Sequence, residues 1–231
     1  MRAGWTSRLL AEFVGTAALL AVTVGSGNMG EMLAGGNAAI ALLANSTATG
    51  LMLYVLIVLF APISGAHFNP IVSLSFAWCG AIGWRHALGY LPVQVLGAVT
   101  GVILAHAMFG LPLFELGEKA RTGWPQCLSE VVATAGLLMT IFLGHRARAA
   151  ALPALVGAYI AAAYWFTAST AFANPAVTVA RAFTDTFAGI RPADVPAFLV
   201  AQIIGALAGL ALVAEISARG AIARSVRSRD R

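Results

Sequence analysis

The sequence predicts an all-α membrane protein with six transmembrane helices, two re-entrant half-helices and two inverted three-helix repeats. Three observations carry this prediction. The 231-residue chain is 60% hydrophobic and 10% charged, whereas soluble domains have about 25% charged residues. Two Asn-Pro pairs, Asn69-Pro70 and Asn174-Pro175, interrupt apolar sequence. Similar residues also recur in the same order in the two halves of the chain.

Six apolar segments are long enough to cross a bilayer, which takes about 20 residues. The predicted spans are approximately 8–27, 39–61, 86–109, 125–144, 151–170 and 194–216. Asn is a good helix N-cap and Pro is favoured in the first helical turn, so each Asn-Pro pair predicts a helix start. The segments that follow, about 69–78 and 174–184, are too short to span. We therefore predict re-entrant half-helices that are packed within protein.

The positive charges predict the orientation. If the N-terminus is cytoplasmic, ten of the fourteen Lys and Arg residues lie on the cytoplasmic side, five of them in a basic tail at 219–231. The four on the outer side are Lys119, Arg121, Arg181 and Arg191. Cytoplasmic loops carry an excess of Lys and Arg, so both termini are predicted to be cytoplasmic.

The two halves carry the same polar residues in the same order. A Glu in the first span, Glu12, is matched by Glu130 in the fourth, and Gln94 of a Gln-x-x-Gly motif is matched by Gln202. We predict one transmembrane domain made of repeats at about 1–110 and 120–218. Each repeat has three spans, an odd number, so the copies are inverted and the N-termini of the half-helices face each other.

Glu12 and Glu130 are ionisable groups within spans, and such groups are candidates for proton relays or ion ligands. The alternative is structural, with each carboxylate accepting hydrogen bonds from backbone N–H groups of a neighbouring irregular loop. Each half contains one such Glu and one broken helix, and this pairing favours the loop-bracing role. Gln94 and Gln202 are assigned the same role.

Asn69 and Asn174 are the strongest candidates for solute contact. The predicted topology places both amides at mid-membrane, where they can donate hydrogen bonds into a shared cavity. The helix N-termini beside them carry partial positive charge, which repels cations. The alternative is that each Asn only caps its own helix. His67 lies two residues before Asn69, and it either touches the pore or holds the entering loop.

No grouping of Ser, His and Asp, or of Cys and His, indicates a catalytic site, so the sequence predicts no enzyme, no cofactor and no metal. One rival class remains. Inverted repeats with broken helices also occur in ion-coupled secondary transporters, which would use Glu12 or Glu130 as the coupling site.

The segment Ser64-Gly65-Ala66-His67-Phe68-Asn69-Pro70, the triplet Asn174-Pro175-Ala176 and the Glu and Gln-x-x-Gly repeats resemble the major intrinsic protein family, the aquaporins and aquaglyceroporins. The resemblance covers essentially the whole chain. It implies a homotetramer in a bacterial inner (plasma) membrane, with one pore in each subunit. It also implies passive conduction of water or small uncharged solutes. The basic tail could in principle bind nucleic acid, but because it follows an apolar segment we predict a cytoplasmic flank of the membrane and no nucleic-acid partner.

Two residues depart from the family pattern. Ile71 replaces the Ala of the first Asn-Pro-Ala motif, so it is a candidate for narrowing the central constriction. Val177 stands where the family usually has the Arg of its outer selectivity filter. Distance from the motifs places the rest of the filter at Thr49, Ala162 and Ala171. Together with Val177, these residues predict a wide filter with little hydrogen-bonding capacity.

Arg181 lies four residues beyond Val177, about one helical turn or 5–6 Å. It either replaces the missing Arg or, as we expect, ends the half-helix at the outer vestibule. Val177 followed by Thr-Val-Ala-Arg resembles bacterial aquaglyceroporins associated with arsenic-resistance operons. That likeness implies conduction of arsenous acid and methylated arsenicals besides glycerol-like solutes. The alternative is a general channel for glycerol, urea and water.

Overall fold

The computed structural model describes residues 3–229, with side chains described through residue 218. This part of the chain contains six long helices and two short ones. They are α1 (Trp5–Leu33), α2 (Ala38–Phe60), α3 (Pro70–Trp78), α4 (Trp84–Phe109), α5 (Trp124–Arg148), α6 (Leu152–Phe166), α7 (Pro175–Ala180) and α8 (Val195–Arg229). The predicted fold class is confirmed. Arg2 and the side chains of the basic tail at 219–231 lie outside the described part.

Five apolar helical stretches of the described chain are long enough to cross a membrane. The longest of them, Trp124–Phe166, contains two helices, α5 and α6, which are joined by a 3-10 turn at Ala149–Ala151. Six helices are therefore available as spans, namely α1, α2, α4, α5, α6 and α8. The short helices α3 and α7 follow the two Asn-Pro pairs, as the sequence predicts.

Several predicted helix ends differ from the observed ones. Helix α1 reaches Leu33 rather than about residue 27, and α5 reaches Arg148 rather than about residue 144. Helix α6 ends at Phe166 rather than near residue 170, because Thr167 is extended (φ −114°, ψ 136°). The Thr167 hydroxyl donates to the carbonyl of Ala163 at 2.6 Å, which closes the last turn. The second half-helix was predicted to reach residue 184, but α7 ends at Ala180 and a 3-10 turn follows at Arg181–Phe183.

Glycines allow the spans to pack with their backbones almost in contact. A Cβ added at Gly97 of α4 would lie 2.4 Å from the carbonyl oxygen of Phe13 on α1, and one at Gly101 would lie 2.2 Å from that of Ala17. The second half repeats this contact, with Gly205 of α8 against the carbonyl oxygen of Val131 on α5 at 2.5 Å. Small residues at helix contacts are how membrane helices gain close packing.

Replacing Gly101 by Ala is expected to destabilise the protein, because the added methyl group meets the rigid backbone of α1. Overpacking of this kind costs about 1–3 kcal/mol. The melting temperature in detergent should therefore fall by several degrees. Gly25→Ala is the matched control, since its Cβ meets only the Phe109 ring at 3.4 Å. Equal melting temperatures for the two variants would contradict the close-packing argument.

Candidate functional site

The two half-helices begin side by side at the centre of the molecule, and an Asn caps each of them. The Oδ1 atom of Asn69 accepts a hydrogen bond from the N–H of Ile71 at 2.9 Å. The Oδ1 atom of Asn174 accepts from the N–H of Ala176 at 3.0 Å and of Val177 at 3.3 Å. These bonds satisfy N–H groups that a helix start leaves without partners.

The same two side chains also join the half-helices across the centre. Asn69 Nδ2 donates to the carbonyl of Ala173 at 2.8 Å, and Asn174 Nδ2 donates to the carbonyl of Phe68 at 2.8 Å. An amide NH2 group has two hydrogens, so each Asn keeps one for another acceptor. Both residues line the central cavity. Each Asn is thus a helix cap and also a donor at the cavity wall.

The loops before the half-helices adopt unusual backbone conformations. Five of their non-glycine residues have positive φ: Ala66 at 52°, Phe68 at 49°, Thr170 at 60°, Ala171 at 48° and Ala173 at 46°. A left-handed conformation costs a residue with a Cβ about 1–2 kcal/mol. Hydrogen bonds from neighbouring elements must therefore hold these loops in place.

In the first half, the buried carboxylate of Glu12 holds the loop. It accepts hydrogen bonds from the N–H of His67 at 3.0 Å and of Phe68 at 2.7 Å, and from the Ser64 hydroxyl at 2.6 Å. The Nε2 group of Gln94 on α4 donates to it at 2.8 Å. Four donors therefore converge on one carboxylate, which lies outside the cavity wall.

Glu130 holds the second loop in the same way. It accepts from the N–H groups of Phe172 and Ala173, both at 2.9 Å, and from Gln202 Nε2 at 2.7 Å. Gln202 also donates to the hydroxyl of Thr178 on α7 at 2.8 Å. The corresponding bond in the first half runs from Gln94 to the hydroxyl of Ser73 on α3 at 2.9 Å. Each Gln thus ties a loop-holding carboxylate to a half-helix.

His67 contacts both the cavity and the loop. Its ring lines the cavity, and its Nδ1 atom lies 3.0 Å from the Ser73 hydroxyl oxygen. The ring also packs against Phe76 and Tyr90, with centroid distances of 4.7 and 5.5 Å. The two alternatives left open for His67 therefore both apply.

Three of the four residues assigned to the filter line the cavity, namely Thr49, Ala171 and Val177. The assignment of Ala162 is wrong, because its side chain is exposed on the outer face of α6. Ile160 and Tyr164 line the cavity instead. Ala162 lies two residues from each of them, about 200° around the helix.

The predicted role of Ile71 is also wrong. Its side chain is buried in the hydrophobic core, and the cavity wall contains the next residue, Val72. An isoleucine in the first motif therefore packs behind the wall and does not narrow the opening.

Among the wall residues that were not predicted from the sequence are Thr23, Tyr164, Phe172 and, as a side chain facing the cavity, Arg181. Thr23 lies in α1 with its hydroxyl 3.5 Å from that of Thr49. Thr23 could have been predicted as a wall residue, because a hydroxyl side chain within an apolar span is a candidate for lining a cavity. Arg181 does end α7, since its N–H donates to the carbonyl of Val177, but its side chain turns inward and is 2% exposed.

The described part of the chain contains no cluster of His, Cys, Asp or Glu that could hold a metal ion. The side chains that line the cavity can offer a solute hydrogen bonds and a positive charge. Amide N–H groups, hydroxyls and one guanidinium line an otherwise apolar channel.

Comparison with known proteins shows which family this chain resembles. The model of the family described as Major intrinsic protein matches residues 2–166. The aquaglyceroporin AqpS of Rhizobium meliloti (strain 1021) is 53% identical over 208 residues, which cover 90% of this chain and 89% of that protein. A probable glycerol uptake facilitator protein of Thermotoga maritima is 31% identical over 166 residues, 64% of this chain and 69% of that protein.

Among solved structures, the aquaglyceroporin from Plasmodium falciparum has the same fold. Its TM-score is 0.68 at 20% sequence identity, over 91% of this chain and 94% of that one. The sequence matches and the fold agree with the motifs around the two capping Asn residues. The chain therefore belongs to the major intrinsic protein family and is a multi-pass membrane channel for small solutes, not an enzyme.

Proposed function

We propose that this channel conducts small uncharged solutes passively through a wide outer filter, with arsenous acid and glycerol-like solutes among them. The observation that carries the proposal is the identity of the filter residues. Thr49, Ala171 and Val177 line the cavity with short side chains, and the larger Ile160 and Tyr164 line it on the α6 side, in place of Ala162. Pore diameter and the hydrogen-bonding groups that line it decide which neutral solutes pass.

The wall of the cavity suits solutes that carry hydroxyl or carbonyl groups. Asn69 and Asn174 each present one amide hydrogen toward it, and the hydroxyls of Thr23 and Thr49 lie nearby. Most other lining residues are apolar. A neutral solute thus finds a few donors for its lone pairs in an apolar passage, which favours brief binding and release.

Arsenous acid is a neutral trihydroxy molecule of roughly glycerol shape. The likeness of the Val177 segment to aquaglyceroporins of arsenic-resistance operons supports its inclusion, and methylated arsenicals belong to the same proposal. The name aquaglyceroporin, given to the relative that is 53% identical, supports glycerol-like solutes.

The positions of Glu12 and Glu130 argue against ion-coupled transport. Both carboxylates are fully buried, accept several hydrogen bonds and lie outside the cavity wall. A coupling site must exchange its ion with the transport pathway. These two groups hold the loops instead, so passive conduction is the mechanism that fits them.

The proposal includes the assembly and the orientation. Family membership supports a homotetramer in a bacterial inner membrane. The distribution of ten Lys and Arg residues against four supports cytoplasmic positions for both termini. Large apolar side chains are exposed along the spans, for example Leu51, Leu96 and Leu207, which suits contact with lipid and with neighbouring subunits.

Stopped-flow measurements on proteoliposomes test the proposed function. Glycerol, urea and arsenite at neutral pH are expected to enter far faster than they enter empty liposomes. Water permeability should also rise, but water should be favoured over these solutes less strongly than in a narrow water channel. An imposed pH gradient should change the rate of entry little and should not drive accumulation. Uphill accumulation, or solute entry no faster than in empty liposomes, would overturn the proposal.

A further inference from the structure

Arg181 is a buried cation that forms no ion pair with an acidic side chain among the described residues. Its side chain is 2% exposed, and the ion pair found within the described residues joins Arg191 and Asp194 instead. The buried carboxylate of the same half, Glu130, is occupied by N–H groups of Phe172 and Ala173 and by Gln202. Burying a charge without compensation is costly, so the position of this guanidinium requires an explanation.

An aromatic ring and one carbonyl hold the guanidinium in place. Its central carbon lies 3.5 Å from the centre of the Phe172 ring, and its Nε atom donates to the carbonyl of Ala188. Phe172 is itself fixed by an edge contact with Phe198 at 5.1 Å. Stacking of this kind stabilises a cation that has lost its water. The terminal Nη nitrogens make no hydrogen bond to a described residue.

Arg121 lies near the same ring but is used differently. Its guanidinium carbon is 4.9 Å from the centre of the Phe172 ring. Its Nε and Nη1 atoms donate to the carbonyls of Gly189 and Ser169 at 2.9 and 3.0 Å. It does not line the cavity, whereas Arg181 does. Arg121 therefore ties loops together, and Arg181 leaves its donors facing the pore.

Position relates Arg181 to the filter. It follows Val177 by four residues, so both side chains leave the same side of one helical turn, and both line the cavity. The electrostatic surroundings are positive. The pKa of the nearby Lys119 ammonium group falls to about 8, first because of its partial burial and then because of the positive charges of Arg121 and Arg181.

We propose that Arg181 is the specificity-determining cation of this channel: stacked on Phe172 one turn outward of Val177, it excludes cations while the filter itself stays wide. In this arrangement Arg181 supplies the positive charge of the selectivity filter, and other residues set the width of the filter. A side chain at position 177 would narrow the opening, whereas Arg181 lies flat against an aromatic ring in the wall. Its terminal nitrogens also offer hydrogen bonds to the hydroxyl groups of passing solutes. The inference rests on the proposed conduction of neutral solutes.

Urea and guanidinium test this inference, because they share one planar shape and differ in charge. Proteoliposomes with the parent protein are expected to conduct urea and to exclude guanidinium. In Arg181→Gln, whose amide can still donate to the Ala188 carbonyl, the ratio of guanidinium to urea permeability should rise about tenfold or more, because the repulsion that a unit charge a few ångströms away exerts on a cation is removed. Arg181→Met, which keeps an apolar stem against Phe172, should behave in the same way.

Two control variants keep a positive charge at position 181. Arg181→Lys retains a cation at this position and should continue to exclude guanidinium. Arg191→Gln removes an outer-loop cation that is paired with Asp194 at 3.1 Å and lies outside the cavity wall, so its permeability ratio should equal that of the parent.

The outcomes separate the two proposals. Parent protein that conducts guanidinium as fast as urea would overturn the role of Arg181, whatever the variants do. Arg181→Gln or Arg181→Met with normal urea flux and undiminished exclusion of guanidinium would overturn it as well. Failure of the parent to conduct urea, glycerol and arsenite would instead refute the proposed function.

Discussion

Replacing Val177 by Arg is expected to reduce the flux of glycerol and arsenite by about tenfold or more, the effect of an added barrier of about 1.4 kcal/mol. Val177 lines the cavity with a short side chain. An arginine there extends into the opening, and the nearby cation Arg181 prevents it from folding outward. Water is smaller and should lose less of its permeability. Stopped-flow swelling of proteoliposomes with each solute measures the change.

Val177→Met separates size from charge in this experiment. Methionine is longer than valine and neutral, so it should lower glycerol flux less than arginine does. Val177→Ala should conduct at least as fast as the parent. Arsenite flux through Val177→Arg at the parental rate would show that position 177 does not set the width of the filter.

Replacing Glu12 by Gln is expected to cause the largest loss of stability. Its two carboxylate oxygens accept four hydrogen bonds, from Ser64, His67, Phe68 and Gln94. A Gln side chain has one acceptor oxygen, so its NH2 group would face at least one of these donors. Hydrogen bonds to charged groups contribute about 1.5–3 kcal/mol each. Losing two of these bonds costs about 3–6 kcal/mol, which should lower the melting temperature in detergent by about 6–24 °C.

Glu115→Gln serves as the control, because Glu115 is exposed in the loop between α4 and α5. Its melting temperature should match that of the parent. Glu130→Gln should destabilise about as strongly as Glu12→Gln, since Glu130 accepts three comparable bonds in the second half. If the parent showed a pH-dependent rate of conduction, and Glu12→Gln lost that dependence but kept the parental stability, Glu12 would be a coupling group and its loop-holding role would be secondary.

Much of the fold followed from local patterns in the sequence. Six apolar segments, two Asn-Pro helix starts and a Glu and a Gln in each half predicted the helices and their order. Helix starts were well predicted, because capping chemistry is encoded in one or two residues such as Asn69 and Pro70. The C-terminal ends of the helices were predicted less accurately than their starts. The ends of α6 and α7 depend on tertiary contacts that no local motif carries.

The filter shows where prediction from spacing failed. Ala171 and Val177 line the cavity, because a fixed distance from a rigid motif keeps its meaning within a loop or along the same half-helix. Thr49 also lines it, but from a separate span, α2. Ala162 belongs to α6, a separate helix whose rotation about its own axis is set by packing. The backbones of Gly157 on α6 and Gly50 on α2 are in close contact. A Cβ added at Gly157 would lie only 2.5 Å from the Gly50 carbonyl oxygen. Such contacts determine which face of α6 reaches the cavity.

By itself, the sequence determined that the chain is an all-helical membrane protein with two capped half-helices, because hydropathy, capping and proline act locally. Tertiary structure alone decided what each polar residue does. Asn69 and Asn174 became partners across 105 residues of sequence, with their Nδ2 atoms donating to each other's loops. Arg181 turned inward onto Phe172. The direction of a long side chain depends on the ring, carbonyl and cavity around it, and those neighbours come from distant parts of the chain.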